Sequence, residues 1–267
     1  MATKIEEVYA YLHSIAPFQY QEGYDNAGLI IGNPSNECRG VITCLDSTEA
    51  VIDEAIEAGA NLVVAHHPIV FRGLKRFTGS NYIERAVIKA IKNDIAIIAI
   101  HTNLDNVISN GVNERIGQRL GLINMEPLVL KAEIDQSNGA VGSGVIGDVA
   151  LAMSEMDFLK ELKTKMKVNV VKHTGLLNQK VTKVAVCGGV GGFLLNDAIR
   201  SGAQMFITSD YKYHEFFDAN DKIVIADTGH YESEQFTINL LQELISRNFT
   251  TFAAHCTKIN TNPVNYL

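Results

Sequence analysis

The sequence predicts an α/β protein of two related lobes, and three observations predict it. Short β-branched apolar runs alternate with helical patterns along the chain. The first half slides onto the second without a gap. Four of the apolar runs end in polar residues able to hold a ligand, which in α/β sheets is where the carboxyl ends of strands open into sites.

The elements follow in chain order. "GVITCL" (40–45) reads as a strand, "EAVIDEAIEAGA" (49–60) as a helix closed by Gly59, and "NLVVA" (61–65) as the next strand. After the loop "FRGLKRFTGSN" a helix over about 82–92 leads to the strand "IAIIAI" (95–100). The second half repeats the scheme with "KVAVC", a helix over "FLLNDAIRSGA", then "MFIT" and "KIVIA". The turn-rich, weakly periodic stretch 131–144 is the expected connection between lobes of about 1–130 and 145–267.

Sliding the first half by 143 positions aligns Val41 with Val184, Cys44 with Cys187, Ala55-Ile56 with Ala198-Ile199 and Gly59-Ala60 with Gly202-Ala203. It also lays His66-His67 over Ser209-Asp210, so the equivalent strand ends are polar in both copies. Fixed-offset similarity of this kind points to internal duplication.

Composition bounds the function. With 267 residues and 46% hydrophobic content, the chain can bury one large core or two modest ones. The start "MATKIEEVYAYLHSIAP" carries Glu6 and Glu7 and no signal-like apolar core, and no run approaches the roughly 18 apolar residues of a membrane span. The expectation is a cytoplasmic protein with no membrane partner. Cys38, Cys44, Cys187 and Cys256 show no CxxC spacing, which argues against a thiolate zinc site and a disulfide framework. Net charge is −7 without a Lys/Arg run, so there is no strong nucleic-acid signal. A small anionic substrate held by a local site stays open.

The four polar strand ends are "VVAHHP", "AIIAIHTNLDN", "FITSDYKYHE" and "VIADTGHYESE". Each has a plain alternative alone: a histidine pair in a turn, His101 and Asp105 capping a helix that begins around Ser109, Asp227 and Thr228 capping the final helix. Together they point to a metal site. If the last helix starts near Gly229 and runs on through "QFTINLLQELI", His230 and Glu234 stand at i and i+4 on one face and can grip one ion. Pro68 keeps His67 extended, which predicts that His66 and His67 diverge, each toward its own ion, with Glu234 or a water bridging two metals.

With these residues the chain resembles the Nif-three-like dinuclear-metal family, whose members often carry the name GTP cyclohydrolase type-two homologue. "YDNAGLIIG", "GANLVVAHHPIVF", "HTNLDNV", "TSDYKYHE", "DTGHYESE" and the terminal "TNPVNYL" carry the resemblance, in order and over nearly the whole chain. It implies two related, intertwined α/β lobes, two divalent metals per subunit and a ring-shaped homohexamer with its metal sites facing an internal cavity. The C-terminal part is expected to pack back on the first lobe. Longer members carry a domain inserted between the lobes. Only 125 positions separate Asp105 from His230, so this chain resembles the short form, one unit over 1–267.

Carried over by position, the metal ligands are His66, His67, Asp105, His230 and Glu234. His101 is an extra ligand or a base behind the ligands, and the second role is preferred. Asp210 and His214 complete the expected catalytic set, although Ser209 stands where a glycine is more usual, which bears on the local turn. Three histidines and two carboxylates without thiolate suit zinc, iron or manganese. The implied function is a metal-dependent hydrolase of a nucleotide or other phosphate-bearing small molecule, with His101 or His214 moving the proton. The alternative is a non-enzymatic metal-binding, metal-delivery or regulatory scaffold. "CGGVGG" (187–192) follows a strand and precedes a helix, where an anion can bind, but it lacks full GxGxxG spacing and reads as a tight, closely packed turn in preference to an anion site. "YDNAGLIIG" reads as turn chemistry or an approach to the cavity rim. His13, His173 and His255 have no supporting constellation.

Overall fold

The computed structural model describes residues 2–134, 136 and 139–267. They form two compact units, one of residues up to Leu104 together with Thr237–Pro263, the other of Asp105–Phe236 with Val264–Leu267. Each unit is thus assembled from two separate stretches of chain, which is the sense in which the lobes intertwine.

The first stretch carries α1 (Ile5–Ile15), β1 (Gly28–Ile31), β2 (Val41–Cys44), α2 (Glu49–Glu57), β3 (Leu62–Ala65), α3 (Tyr82–Lys92), β4 (Ala96–Ala99) and the short α4 (Thr102–Asp105). The second unit follows with α5 (Val112–Leu120), β5 (Leu122–Leu130), β6 (Gly142–Ser154), α6 (Glu155–Lys165), β7 (Lys172–His173) and β8 (Lys180–Val190). It continues through α7 (Leu195–Arg200), β9 (Met205–Ser209), β10 (Val224–Asp227) and α8 (His230–Glu234). The chain then re-enters the first unit as α9 (Thr237–Asn248) and β11 (Ala254–Cys256).

In the first unit the sheet order is β1-β4-β3-β2-β11, parallel except for β1. Every residue of β2, β3 and β4 is buried, as expected of parallel strands covered on both faces. Thr48 and Asn81 cap α2 and α3 by accepting from the backbone amides of Val51 and Glu84, which releases both helices from the strand ends at defined points. Gly59 closes α2 at φ +69°, a left-handed position a side chain would strain. Ile42, Ile52, Val63 and Ile97 belong to the buried apolar cluster on one face of this sheet.

The second unit has the order β5-β6-β8-β9-β10-β7, with β8, β9 and β10 parallel and Phe206 and Ile225 in its core. The duplication appears in its register. Val41 lies opposite Leu62 and Ile42 opposite Val63; Val184 lies opposite Met205 and Ala185 opposite Phe206, each partner displaced by the same 143 positions. The third parallel strands break the offset. Thirty residues (66–95) lie between Ala65, the last paired residue of β3, and Ala96, the first of β4, against fifteen (209–223) between Thr208 of β9 and Val224, the first of β10. The second copy has a 3-10 segment, Tyr213–Ala219, where the first has a long loop and α3.

The stretch 131–144, expected to join the lobes, runs from β5 into β6, strands that pair antiparallel inside the second unit. Residues 135, 137 and 138 of it lie outside the described residues. Among the described residues no helix is long and apolar enough to cross a membrane.

Candidate metal centre

In the first unit three histidines from two strand ends converge. His66 and His67 follow β3, His101 follows β4, and one ligand nitrogen of each lies within 4.8 Å of the others. The rings of His66 and His67 are 4.9 Å apart and tilted by 44°, so the expected divergence does not occur. The reason lies in the backbone. Successive amides of a flat strand point to opposite neighbours, yet His66 N donates to Cys44 O and His67 N to Leu45 O, both on the β2 side. The chain has rotated out of the pleat, and both rings swing to one side.

Each ring is held from behind at Nδ1. His66, fully buried, donates to the Ile100 carbonyl at 2.8 Å; that oxygen can only accept, so Nδ1 carries the proton in the neutral ring. His67 Nδ1 meets Asp46 Oδ1 at 2.8 Å, and Asp46 in turn accepts from Thr261 of the terminal motif at 2.7 Å. His101 Nδ1 meets Asp25 Oδ1 at 2.8 Å. Burial disfavours the Asp25 carboxylate, but the His101 contact and the Thr102 hydroxyl outweigh it and hold its pKa down to about 2. With Nδ1 engaged in this way, Nε2 is the ring nitrogen each imidazole could offer to an ion, the arrangement usual for histidines that hold a metal.

The second unit gathers its own group of ligand-capable side chains. Gly229, at φ +91°, turns the chain from β10 into α8. His230 and Glu234 then stand at i and i+4, with Nε2 to Oε2 at 3.1 Å, while His230 Nδ1 meets Asp210 Oδ2 at 2.7 Å. Asp210 sits in the left-handed region at φ +59° directly after Ser209. Burial works against charge on His230, but the carboxylates of Glu234 and Asp210 push its pKa up to about 11. They hold a proton where a metal would compete for the same nitrogen. A carboxylate oxygen of Asp105 lies within 4.8 Å of one of buried Glu234, a pairing of like charges that a cation relieves. Cys187 beside them is kept a thiol by burial and by both carboxylates.

The glycine run underlies this group. Gly189 N donates to Ser233 Oγ and Gly188 N to Asn113 Oδ1, so these amides serve the protein's own side chains. A Cβ on Gly189 would strike Glu234 Oε1, and one on Gly191 would strike Thr208 Oγ1. This is the closely packed turn, not an anion cradle. Ser209, the departure from the family pattern, donates to Gly189 O at 2.6 Å and holds the same turn.

The cap expectations change. The cap position of α5 is Gly111, without a side-chain bond, so Asp105 does not cap it. The final helix is broken into α8 and α9. Buried Asp227 accepts from Tyr211 N and Gly229 N and pairs with Lys172 at 2.6 Å, a structural carboxylate more than a helix cap. His214 is exposed in the 3-10 segment with its ring against Tyr213 and Phe217. Asp25 and Asp46 as anchors were missed by sequence reasoning. The signals were there: Asp25 lies in "YDNAGLIIG", and Asp46 is a carboxylate just past the end of β2.

The chain matches, over residues 3–263, the model of the family described as Duf34/NIF3 (NGG1p interacting factor 3). It is similar to a protein of Clostridium perfringens named GTP cyclohydrolase 1 type 2 homolog, 33% identical over 86% of this chain and 87% of that one. Among solved structures it resembles the Staphylococcus aureus hypothetical protein SA1388, with TM-score 0.91, 30% identity and full coverage of both chains. The Bacillus cereus protein related to NIF3 gives TM-score 0.90 at 26% identity, also over both full chains.

Proposed function

The chain belongs to the Duf34/NIF3 family, and from that membership we propose a dinuclear metal-binding protein acting as a hydrolase on a nucleotide or other phosphate-bearing small molecule. The ligands are His66, His67, Asp105, His230 and Glu234, holding two divalent ions of zinc, iron or manganese.

The observation that carries this is the common anchoring of the imidazoles. His66, His67, His101 and His230 each have Nδ1 tied to an oxygen acceptor, leaving Nε2 as the ligating atom. Histidines serving only as packing have no need of four such anchors, three of them carboxylates. The donor set of imidazole and carboxylate suits the borderline divalent metals.

Two ions there would supply Lewis acidity and a nucleophile at neutral pH. The protein's own part is positional. Asp25 and Asp46 fix the tautomer and direction of His101 and His67, and Asp210 does the same for His230. His101 has two alternative roles: with Nε2 on a metal it is an additional ligand, which the convergence of the three rings favours, and with Nε2 off the metal it is the proton carrier, its Nδ1 fixed by a side chain held ionised near neutral pH.

Elemental analysis of the purified and reconstituted protein is expected to give close to two divalent ions per chain; one or none would refute the dinuclear proposal. Turnover of nucleotides or phosphoesters by the loaded protein would support the hydrolase, whereas two bound ions without turnover would favour the metal-holding scaffold. The protein is further proposed, on the family resemblance, to be a cytoplasmic homohexamer, and a monomer by light scattering over a wide concentration range would refute that assembly.

A further inference from the structure

The segment between β3 and α3 runs for sixteen residues, 66–81, without a helix or strand. Irregular segments that long are uncommon in compact domains and are usually functional. Its length is local to this lobe, since in the duplicated lobe only residues 210–212 lie between β9 and the 3-10 segment that begins at Tyr213. Both ends are firmly held. At the start, Asn26 Nδ2 donates to Val70 O at 2.6 Å, and the Phe71 ring packs edge-on against His101 at 6.3 Å and tilted against Tyr24 at 6.2 Å. At the end, Glu84 accepts from Thr78 N, Thr78 Oγ1, Ser80 N, Ser80 Oγ and Asn81 Nδ2.

Between these anchors lie Arg72, Lys75 and Arg76, all exposed. The segment 66–81 contains no carboxylate, in a chain whose net charge is −7. Among the described residues no acidic side chain pairs with any of the three, although Arg85, Lys89 and Lys172 elsewhere in the protein do have such partners. Three unneutralised cations are thus carried by a pinned loop whose first aromatic residue touches one of the converging imidazoles. Guanidinium groups are the side chains best suited to phosphate oxygens, and exposed cations near a site draw anions toward it.

We propose that Arg72, Lys75 and Arg76 form a phosphate-recognition loop, which selects phosphate-bearing ligands for the imidazole cluster of the first unit. This rests on the hydrolase proposal only for where the rest of the ligand reacts; the loop itself binds the anion.

The test titrates inorganic pyrophosphate calorimetrically into the full chain at low ionic strength, in metal-stripped and metal-reconstituted form. Wild type is compared with the triple variant Arg72→Ala/Lys75→Ala/Arg76→Ala and with Arg76→Glu. Because the three residues are exposed, melting temperature and bound-metal content should be unchanged. The triple variant is expected to bind about tenfold more weakly or worse in both forms, since each exposed charge-assisted contact contributes a fraction of that factor. The wild-type affinity should also fall more steeply with salt than the variant's. Equal affinity in wild type and triple variant overturns the proposal, as does wild-type binding that appears only with metal and is insensitive to the three substitutions. Absence of wild-type binding in both forms at millimolar pyrophosphate overturns it as well. A protein that holds no metal would sink the hydrolase proposal and leave the comparison in the stripped form to decide the loop.

Discussion

Glu234→Gln keeps the side chain's shape and removes one negative charge from the most buried of the second unit's clustered ligand-capable side chains. Glu234 is 3% exposed and its Oε2 lies 3.1 Å from His230 Nε2. A unit charge pair at that distance is worth about 5 kcal/mol at an effective dielectric of about 20. His230 is 37% exposed, and solvent screening takes roughly half of this, leaving on the order of 3 kcal/mol, or about 100-fold in affinity. A divalent ion feels the missing charge at least as strongly as the imidazolium does. The variant is therefore expected to lose at least one ion, or to bind it about 100-fold more weakly, in a titration against a competing chelator. Asp227→Asn is the control. Its carboxylate meets two backbone amides and Lys172, so the amide should lower the melting temperature and leave both ions bound. Two-ion binding of unchanged affinity in Glu234→Gln would refute the role given to this carboxylate, and with it most of the case for a dinuclear centre.

Three further outcomes are expected. Asp25→Asn turns an amide donor toward Thr102 or His101 and should weaken metal binding by about 10–100-fold in the same chelator competition; a silent variant would show that His101 takes no part in holding metal. Gly189→Ala forces a Cβ against Glu234 Oε1 at φ +60°, so it should cost more than about 1 kcal/mol of stability and loosen the metal, and a wild-type melting temperature would contradict the packing role of the glycine run. Glu84 has its pKa held down to about 2, chiefly by the Thr78 and Ser80 amides, against about 4.3 for a free glutamate. Its stabilising effect is therefore complete above the ordinary value and lost as pH falls through about 2. The melting-temperature gap between wild type and Glu84→Gln should be full near neutrality and close between roughly pH 4 and 2; a gap independent of pH would rule out the clamp.

What the sequence determined by itself was whatever depends on neighbours along the chain. The parallel strands β2, β3, β4, β8, β9 and β10 are continuous apolar runs, and α2 and α3 carry their cap residues beside them, so periodicity and turn chemistry placed them within a residue or a few. The i, i+4 pairing of His230 with Glu234 is helix geometry and needs no partner. Local signals were weaker elsewhere. β5 contains Pro127 and the left-handed Asn124, and β6 opens with "GSGVIG", so the pair looks like loop until each strand hydrogen-bonds to the other. The segment 131–144 was assigned to a lobe connection for the same reason, because only long-range pairing distinguishes a hairpin from a linker.

The direction of the histidines was decided by tertiary structure alone. Alternation along a strand predicts that His66 and His67 part, and it fails because both amides bond to β2, a choice made by the neighbouring strand. The anchors are of the same kind. Asp25 and His101 are 76 residues apart, and Asp46 and Thr261 are 215 apart. A carboxylate in a turn and a carboxylate behind an imidazole have the same local sequence. What separates them is which ring the fold brings within 2.8 Å, and that depends on packing between segments distant in the chain.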